Sequence, residues 1–300
     1  MDRIEAMAAL LEVVRCGSFS AAARTLGIAP TSLTRKISDL EARIGARLLN
    51  RTTRSLSLTE VGAAYVQAAR RIVDDVEEAE RAASGEYAEP RGELVITAPT
   101  MFGRLHVVPI VAQFLSEFPK IDIRLLLTDS VVHLVDERVD LAVRLGQLAD
   151  SSLVARQVGV MRAVTCASPD FLAAHGTPAT PADIGSMPTI AVDGIASTRQ
   201  QWRFGEHSVA IRPRMTVTSN EAAVEAAVLG VGLTRQMLYQ VADRLAAGSL
   251  RLCLREFEPP PRPVHVLQLS RDYLPLKARK FLDMAVPLLR QRLAALDEGA

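Results

Sequence analysis

A cluster of polar side chains directly after Pro30 has the chemistry to bind DNA. It comprises Thr31, Ser32, Thr34, Arg35 and Lys36. Arginine can pair with guanine O6 and N7 in the major groove, while hydroxyls and backbone N–H groups at a helix start bind phosphate. From Ser18 to Leu58 the chain carries seven cationic side chains against two carboxylates, an excess that suits a phosphate backbone. A solvated charged face is the alternative explanation of the charge.

The pattern around this cluster predicts three short helices. Apolar residues recur at helical spacing over 3–14, and a second helix over 21–26 follows Ser18 or Ser20 and ends at Gly27. Pro30 suits the first turn of a third helix, which would turn the polar cluster outward. Its predicted buried stripe consists of Leu33, Ile37, Leu40 and Ile44. Helices joined in this way predict a helix-turn-helix whose last helix enters a major groove.

The next segment predicts a two-stranded wing. Residues 55–58, Ser-Leu-Ser-Leu, alternate as a half-buried strand does. Basic and hydroxyl groups precede them at Arg51, Thr52, Thr53 and Arg54. We expect these groups at the tip of the wing and the apolar residues at its root.

A long helix is expected after Thr59. Its apolar residues step by three or four positions, as in a seam that pairs with a copy of itself. This seam comprises Val61, Tyr65, Ala68, Ile72, Val76, Ala79 and Ala83. The alternative is a helix packed on its own domain. Residues 86–92 are interpreted as a hinge.

From Glu93 onward, short β-rich runs alternate with helical patterns. Runs at 94–98, 121–127 and 140–146, with helices over 103–117 and 130–138, predict a mainly parallel sheet. Further strands are expected at 164–168, 189–193, 209–213, 215–219 and 231–235, with a helix over 220–229. A strand at 265–270 and a helix over 276–296 would return to the first sheet. Two lobes with a cleft between them follow from this order.

The sequence offers little for an enzyme or a membrane protein. It contains no G-x-S-x-G elbow, P-loop or H-E-x-x-H motif, and its five histidines show no metal-ligand spacing. The first residues do not form a signal peptide, and the most apolar segment, 222–233, is too short to cross a bilayer. Cys16, Cys166 and Cys253 are expected to be buried, unpaired and in a reducing cytoplasm. We therefore predict neither catalysis, nor a metal, nor a cofactor.

The whole arrangement resembles the LysR-type transcriptional regulators. The resemblance is most specific in SFSAAARTLGIAPTSLTRKISDLEARIGARLLNRTTRSLSLTEVG at 18–62, and extends through 99–119, 139–146 and GVGLTRQMLYQVADRLAAGSL at 230–250. It implies an α+β multidomain protein with an N-terminal winged helix-turn-helix, a long dimerising linker helix and a C-terminal two-lobed α/β domain similar to type 2 periplasmic binding proteins. It implies no cofactor.

The resemblance also implies partners and a domain layout. Members assemble as a dimer, or a dimer of dimers, on an interrupted inverted repeat of double-stranded promoter DNA, with RNA polymerase as a further partner. A small molecule bound between the lobes alters DNA bending and transcription. The expected domains are 1–58 for DNA binding, 59–90 for the linker helix and hinge, and 91–300 for effector binding. Lobe I would span about 91–161 and 265–300, and lobe II about 162–264.

Site residues carry over by position. Pro30, Thr31, Ser32, Thr34 and Arg35 match the recognition-helix contacts of the family, and Arg51 and Arg54 match its wing. Lys36 and Thr53 are added from the helix face and the wing tip. Thr34 stands where the family usually has serine, and Gln236 stands where proline is common.

A carboxylate pocket is expected in the cleft. Thr100 and Met101 would lie at a helix start whose N–H groups and dipole favour an anion. Thr128, Trp202 and Asn220 align with loops that face the cleft. The alternatives are that Thr100 is a helix cap and Trp202 a core residue. Arg144 and Arg199 are further groups that could neutralise an acid.

A second class of function stays open at this point. The chain could be a two-lobed small-molecule binding protein whose N-terminal helices serve oligomerisation only. That reading predicts no salt-dependent binding to duplex DNA.

Overall fold

The computed structural model describes most of the chain, in two compact units. The described residues are 2–51, 56–84, 89–129, 139–148, 153–192, 201–205, 207–268 and 274–298, with the backbone alone at 51, 78, 81–84, 297 and 298. The first unit consists of Met1–Glu93, Lys120–Asp122 and Pro275–Lys277, and the second of the remaining residues. Among the described residues, no helix is both long enough and apolar enough to cross a membrane.

The first unit contains four helices and a short hairpin. In chain order its elements are α1 (Arg3–Cys16), α2 (Phe19–Thr25), α3 (Pro30–Ile44), β1 (Leu49–Arg51), β2 (Leu56–Leu58) and α4 (Glu60–Ser84). Side chains cap the first two helices, since Asp2 accepts from the Ile4 N–H and Ser18 from the Ala21 N–H. Gly17 adopts the left-handed conformation that ends α1.

Helical periodicity explains the core of this unit. Leu33, Ile37 and Leu40 are buried on α3, where they pack with buried residues of α1, α2 and β1. Ile44, predicted for the same stripe, is 36% exposed, so that prediction was wrong. It is the last residue of α3 before the left-handed Gly45, and there the core no longer covers the helix. The second helix begins two residues earlier than predicted because Ser18 is its cap.

The hairpin confirms the two strands of the predicted wing. β1 and β2 pair antiparallel, with Leu49 opposite Leu58 and Arg51 opposite Leu56. Leu48 and Leu49 are buried at the root. Residues 52–55, which hold the predicted tip, lie outside the described residues.

The long helix α4 has one covered and one exposed apolar face. Val66, Ala69 and Val73 are buried, whereas Val61 and Ile72 of the predicted seam are 51% and 40% exposed. Near the start of α4, Gly62 lies so close to the hairpin that an added Cβ would be 1.9 Å from the Leu48 carbonyl oxygen. Val61 and Ile72 are therefore open to a partner, whereas Tyr65 of the predicted seam packs against the core of the unit.

The rest of the chain alternates strands and helices. In order these are β3 (Gly92–Ala98), α5 (Thr100–Phe102), a π-helix (Gly103–Val107), α6 (Val108–Glu117), β4 (Ile121–Leu127), β5 (Leu141–Leu145), β6 (Val154–Met161), β7 (Ala163–Ala167), α7 (Pro169–His175), a 3-10 helix (Pro181–Ser186), β8 (Thr189–Val192), β9 (Gln201–Phe204), β10 (His207–Ala210), β11 (Pro213–Val217), α8 (Asn220–Val228), β12 (Leu233–Met237), α9 (Leu238–Ala246), β13 (Arg251–Cys253), a 3-10 helix (Arg255–Phe257), β14 (Arg262–Gln268) and α10 (Leu276–Glu298).

Two five-stranded sheets organise these elements. The first has the order β4-β3-β5-β14-β6, and the second the order β11-β8-β12-β7-β13. β14 therefore completes the first sheet, which confirms the expected return of the chain. The parallel pairing expected for the first strands is confirmed for β3 and β5. Both sheets are nevertheless mixed, because β14 runs antiparallel to β5 and β6, and β7 antiparallel to β12 and β13.

Other expectations for this region had mixed outcomes. The strand predicted over 209–213 is divided between β10 and β11, which belong to different sheets. The strands β6, β9 and β13 and the helices α7 and α9 were missed. The helix predicted over 130–138 lies outside the described residues.

Candidate DNA interface and ligand cavity

The first turn of α3 is exposed and has no side-chain cap. Thr31, Ser32 and Arg35 are exposed, and α3 begins without a side-chain cap because Ala29 at the N-cap position carries no acceptor. Pro30 has no N–H, and the Ser32 and Leu33 N–H groups donate to the Ala29 carbonyl oxygen at 3.0 and 3.1 Å. The positive end of the helix dipole still attracts a phosphate. The structure therefore places hydroxyl and guanidinium groups beside a positive helix start on one exposed surface.

Two members of the predicted cluster are already engaged within the chain. The Thr34 hydroxyl donates to the Pro30 carbonyl oxygen at 2.9 Å. In this arrangement the hydroxyl can only accept a hydrogen bond from a ligand. The Lys36 ammonium bonds the Glu5 carboxylate of α1, and its side chain is only 20% exposed. The prediction that Lys36 projects outward was therefore wrong, because a carboxylate far away in sequence holds it.

The wing residues can be placed only in part. Arg51 lies at the end of β1, and its side chain is outside the described residues, as are Thr53 and Arg54. Their DNA contacts stay predictions.

A cavity of about 830 Å³ lies within the second unit, where several strands end. Pro99 follows β3, Thr128 follows β4, and Val192 and Met237 end β8 and β12. The carboxyl ends of parallel strands are where ligands bind in open α/β sheets. The helices α8 and α9 begin at the same cavity, with Asn220 and Tyr239 in its wall.

Three of the five predicted effector residues line this cavity. They are Thr128, Trp202 and Asn220. Trp202 also packs against the buried cluster that contains Phe204 and Ile211, so it serves the core as well as the wall.

The other two predicted residues do not line it. The Thr100 N–H, expected to hold an anion, donates to Asp129 Oδ1 at 3.1 Å. The Met101 side chain is buried against a second, smaller cavity of about 410 Å³. The helix start at Thr100 already has an anion of its own chain, which sequence reasoning did not foresee. Arg199 lies outside the described residues.

Arginines dominate the charge of the cavity. Arg144, Arg203, Arg235 and Arg262 line it, with Asp129 as the acid in the described wall. The Arg144 Nη1 donates to the Val143 carbonyl, whereas its Nη2 is buried without a partner among the described residues. Burial lowers the pKa of Arg144, since the interior disfavours the charged form.

Arg235 is also held in low-dielectric surroundings. Its guanidinium lies over the Phe204 ring at 4.6 Å from the centroid. Burial, with a smaller contribution from Arg262, lowers the pKa of Arg235 to about 10, and Glu258 opposes this effect. Both arginines are half-buried, and an anion in the cavity would compensate for the hydration they have lost.

Sequence reasoning missed Arg235, Gln236 as a ligand group, and Tyr239. The available signal was an arginine and an amide at the end of an otherwise apolar strand pattern, VGLTRQM. Burial raises the pKa of the Tyr239 phenol, and nearby Asp129 raises it further, so this group stays protonated.

The cysteines do not supply chemistry. Cys166 and Cys253 are buried and unpaired, and burial raises their pKa values to about 12 and about 11. They are therefore thiols rather than nucleophilic thiolates at neutral pH. Cys16 is only partly buried, which corrects the prediction for that residue. Within the described ranges, no group of three or more His, Cys, Asp or Glu residues is placed to hold a metal.

Comparison with known proteins covers both units. Residues 4–63 match the model of the bacterial regulatory helix-turn-helix protein, lysR family, and residues 88–290 match the LysR substrate binding domain. An HTH-type transcriptional regulator of Xanthomonas campestris is 34% identical over 93% of this chain and 83% of its own.

Two further relatives agree. The transcriptional activator AaeR of Escherichia coli is 32% identical over 93% of this chain and 91% of its own. The structure of CrgA, a LysR-type transcriptional regulator from Neisseria meningitidis, has 31% identity and a TM-score of 0.62, and covers 95% of this chain and 98% of that one.

Proposed function

The chain belongs to the LysR family of transcriptional regulators. On that premise, we propose that the exposed start of α3 binds the operator. We also propose that the arginine-lined cavity binds an anionic effector. The protein is a DNA-binding regulator that a small molecule modulates, and the family is not enzymatic. The observation that carries the DNA proposal is the uncapped first turn of α3, with Thr31, Ser32 and Arg35 exposed.

The proposed division of labour follows the chain. We assign 1–58 to DNA binding, 59–90 to the linker and hinge, and 91–300 to effector binding. The two sheets correspond to the two lobes, with lobe I at about 91–161 and 265–300 and lobe II at about 162–264. The described cavity supports a carboxylate as effector, because an anion would compensate the charge of the half-buried arginines that line it.

We assign the specific base or phosphate contact to Arg35. A bidentate contact to guanine predicts that Arg35→Ala weakens operator binding by about 1–3 kcal/mol, or roughly 5- to 150-fold. Lys36→Ala should weaken it less, because Glu5 holds this ammonium. Fluorescence anisotropy with the DNA upstream of the protein's own gene and its divergent neighbour, repeated across salt concentrations, measures both effects.

Arg15→Ala is the matched control for the anisotropy measurement. Arg15 is bound by Glu12 on α1, and its loss should leave operator affinity unchanged. Equal affinity of Arg35→Ala and the wild type would remove Arg35 from the interface. Absence of salt-dependent binding to any duplex, including randomised ones, would favour the alternative role of the N-terminal helices in oligomerisation only.

The open face of α4 supports a homodimer on an inverted repeat. Val61 and Ile72 are exposed in one chain, while Val66 and Val73 face the interior. A two-fold dimer would present two copies of α3 to two half-sites of the operator. A dimer of dimers, RNA polymerase as a partner at the promoter, and a cytoplasmic location belong to the same proposal.

We expect Ile72→Asp to shift the dimer toward monomer, because the change places a charge in an apolar interface. Sedimentation velocity at several protein concentrations measures the shift. Gln67→Asp, at an exposed position away from the seam, should leave the dimer intact. A dimer that persists unchanged in Ile72→Asp would show that another surface joins the copies.

A further inference from the structure

One wall of the cavity contains an amide oxygen that lacks a donor. Gln236 lies on β12, is 3% exposed and lines the cavity. Its Nε2 donates to the Thr234 hydroxyl at 2.9 Å, but its Oε1 is buried with no hydrogen-bond partner among the described residues. A buried acceptor without a donor costs free energy, so a group that binds here gains by supplying an N–H or O–H.

The contrast with the other glutamines of the wall makes Gln236 distinctive. Gln240 accepts from the Met237 N–H at 2.8 Å and donates to the Tyr239 oxygen at 3.4 Å. The Oε1 of Gln201 accepts from the Ser208 hydroxyl at 3.1 Å. Each of these two carboxamide oxygens has a donor from its own chain, whereas the Oε1 of Gln236 has none among the described residues.

A cationic donor without an acceptor lies in the same cavity. Arg144 Nη2 is buried and unpaired within the described chain, and Arg235 of β12 also lines the cavity. An ionised carboxylate accepts hydrogen bonds but donates none, so it can satisfy Arg144 and leaves Gln236 unsatisfied. A simple acid therefore satisfies Arg144 but leaves the Gln236 oxygen without a donor.

We propose that the effector is an organic acid that also carries a hydroxyl or N–H group, with its carboxylate on Arg144 and Arg235 and its donor group on Gln236 Oε1. This inference rests on the carboxylate effector proposed above and adds a specificity-determining residue to that site. Ile190, Val192 and Met237 of the same wall would contact the carbon frame of the acid.

Matched triplets of acids test the inference on the full-length protein. Succinate, glutarate and phenylacetate are each compared by calorimetric titration with their 2-hydroxy and 2-methoxy derivatives. The methoxy group keeps the oxygen and removes the donated proton. We expect the hydroxy acid of at least one triplet to bind at least about tenfold tighter than both its parent and its methoxy derivative.

Variants assign the preference to Gln236. Gln236→Met should reduce the affinity of the hydroxy acid to that of its parent. Gln157→Met, the same change at an exposed glutamine outside the cavity, should keep the difference. Arg144→Met should weaken all three acids together. If Gln236→Met does not fold, the comparison of hydroxy and methoxy acids on the wild type decides the question.

Each outcome separates this inference from the function on which it rests. Acids that bind with equal affinity whether or not they carry the hydroxyl, and that weaken in Arg144→Met, overturn the donor requirement and leave the carboxylate effector standing. Binding by none of these acids, or binding that Arg144→Met does not change, overturns the carboxylate effector and this inference with it.

Discussion

The exposed start of α3 and the wall of the cavity use arginine in opposite surroundings. Arg35 is exposed on a helix whose first turn has no side-chain cap, whereas Arg144 and Arg235 are partly buried and their pKa values are lowered by that burial. An exposed guanidinium keeps its hydration, and its selectivity comes from its position on a rigid helix. A buried guanidinium has lost hydration, and it selects ligands that supply acceptors for its unpaired N–H groups.

The two regions differ in how specifically they define their ligands. The α3 surface indicates a nucleic acid but not a base sequence, because its groups contact any phosphate as well as guanine. The cavity supports the proposed anion with a hydrogen-bond donor, because Arg144 and Gln236 each have a buried atom without a partner among the described residues. Changes confined to one region should therefore leave the ligand of the other unaffected.

The largest expected effect is on the cavity. Arg235→Met should weaken the tightest-binding acid of the series above by about 2–5 kcal/mol, the range for truncating one partner of a buried charge pair. Calorimetric titration measures the loss. Operator affinity without effector should stay at the wild-type value, while Arg35→Ala should show the reverse pattern. A loss of both activities in either variant would break the separation of the two regions.

Substitution of one glycine in each unit compares the stability of the two units. Gly62→Ala would place a Cβ 1.9 Å from the Leu48 carbonyl oxygen, and Gly232→Ala would place one 2.6 Å from the Pro188 carbonyl oxygen. Neither backbone can yield as a flexible side chain would, so we expect a loss of about 3 kcal/mol for Gly62→Ala and somewhat less for Gly232→Ala. Hydrogen-exchange mass spectrometry should locate the first loss in α1–α3 and the second around β12.

Gly185→Ala is the control for these glycines. Its added Cβ would be 4.0 Å from the nearest atom, the Ala210 carbonyl oxygen, which is ordinary contact. Protection should therefore stay unchanged. If Gly62→Ala reduced protection in β12 as much as in α1–α3, the two regions would not be stabilised separately.

The smallest of the three effects is a pH dependence that belongs to the second unit. Burial, with a smaller contribution from Arg292, lowers the pKa of His106 from 6.5 to about 4, against an opposing effect of Asp243. The unfolded chain therefore binds a proton below pH 6.5 that the folded chain accepts only near pH 4. The stability is fully present above pH 6.5 and falls by about 2–3 kcal/mol as pH drops toward 4.

Replacement of His106 isolates this contribution. His106→Phe should flatten the fall in the unfolding free energy between pH 6.5 and 4, because phenylalanine takes up no proton. The new ring should fit, since the His106 ring already packs against Phe102 and Tyr239 at centroid distances of 4.8 and 5.6 Å. Urea unfolding at several pH values measures the slope. His207→Phe, at an exposed position, controls for the loss of a histidine. An unchanged slope in His106→Phe would assign the acid sensitivity to other groups.

Local order in the first unit was predictable because it depends on neighbours in sequence. The cap at Ser18 and the buried stripe of α3 both involve residues a few positions apart. The same reasoning failed for Lys36, since its partner Glu5 is 31 positions away. Exposure of Ile44 likewise depends on where the core ends, which periodicity does not indicate.

The cavity was predictable only in outline. Strand ends at Pro99, Thr128 and Met237 meet because two sheets bring distant segments together. Thr100 was expected to bind an anion from outside, but Asp129 occupies its N–H. Arg235 and Gln236 were visible as polar residues at a strand end, yet their burial depended on β7 and β8 on either side.

The helix-turn-helix, the long helix and the alternation of strands and helices could be predicted from the sequence, because caps and periodicity are interactions of near neighbours. Which polar atoms are left without partners depends on the complete fold. Burial and hydrogen-bond satisfaction depend on groups far apart in the chain, as the pairing of Lys36 and the open Oε1 of Gln236 show. The ligand of the cavity is therefore specified by the folded chain, and the DNA-binding surface largely by a single helix.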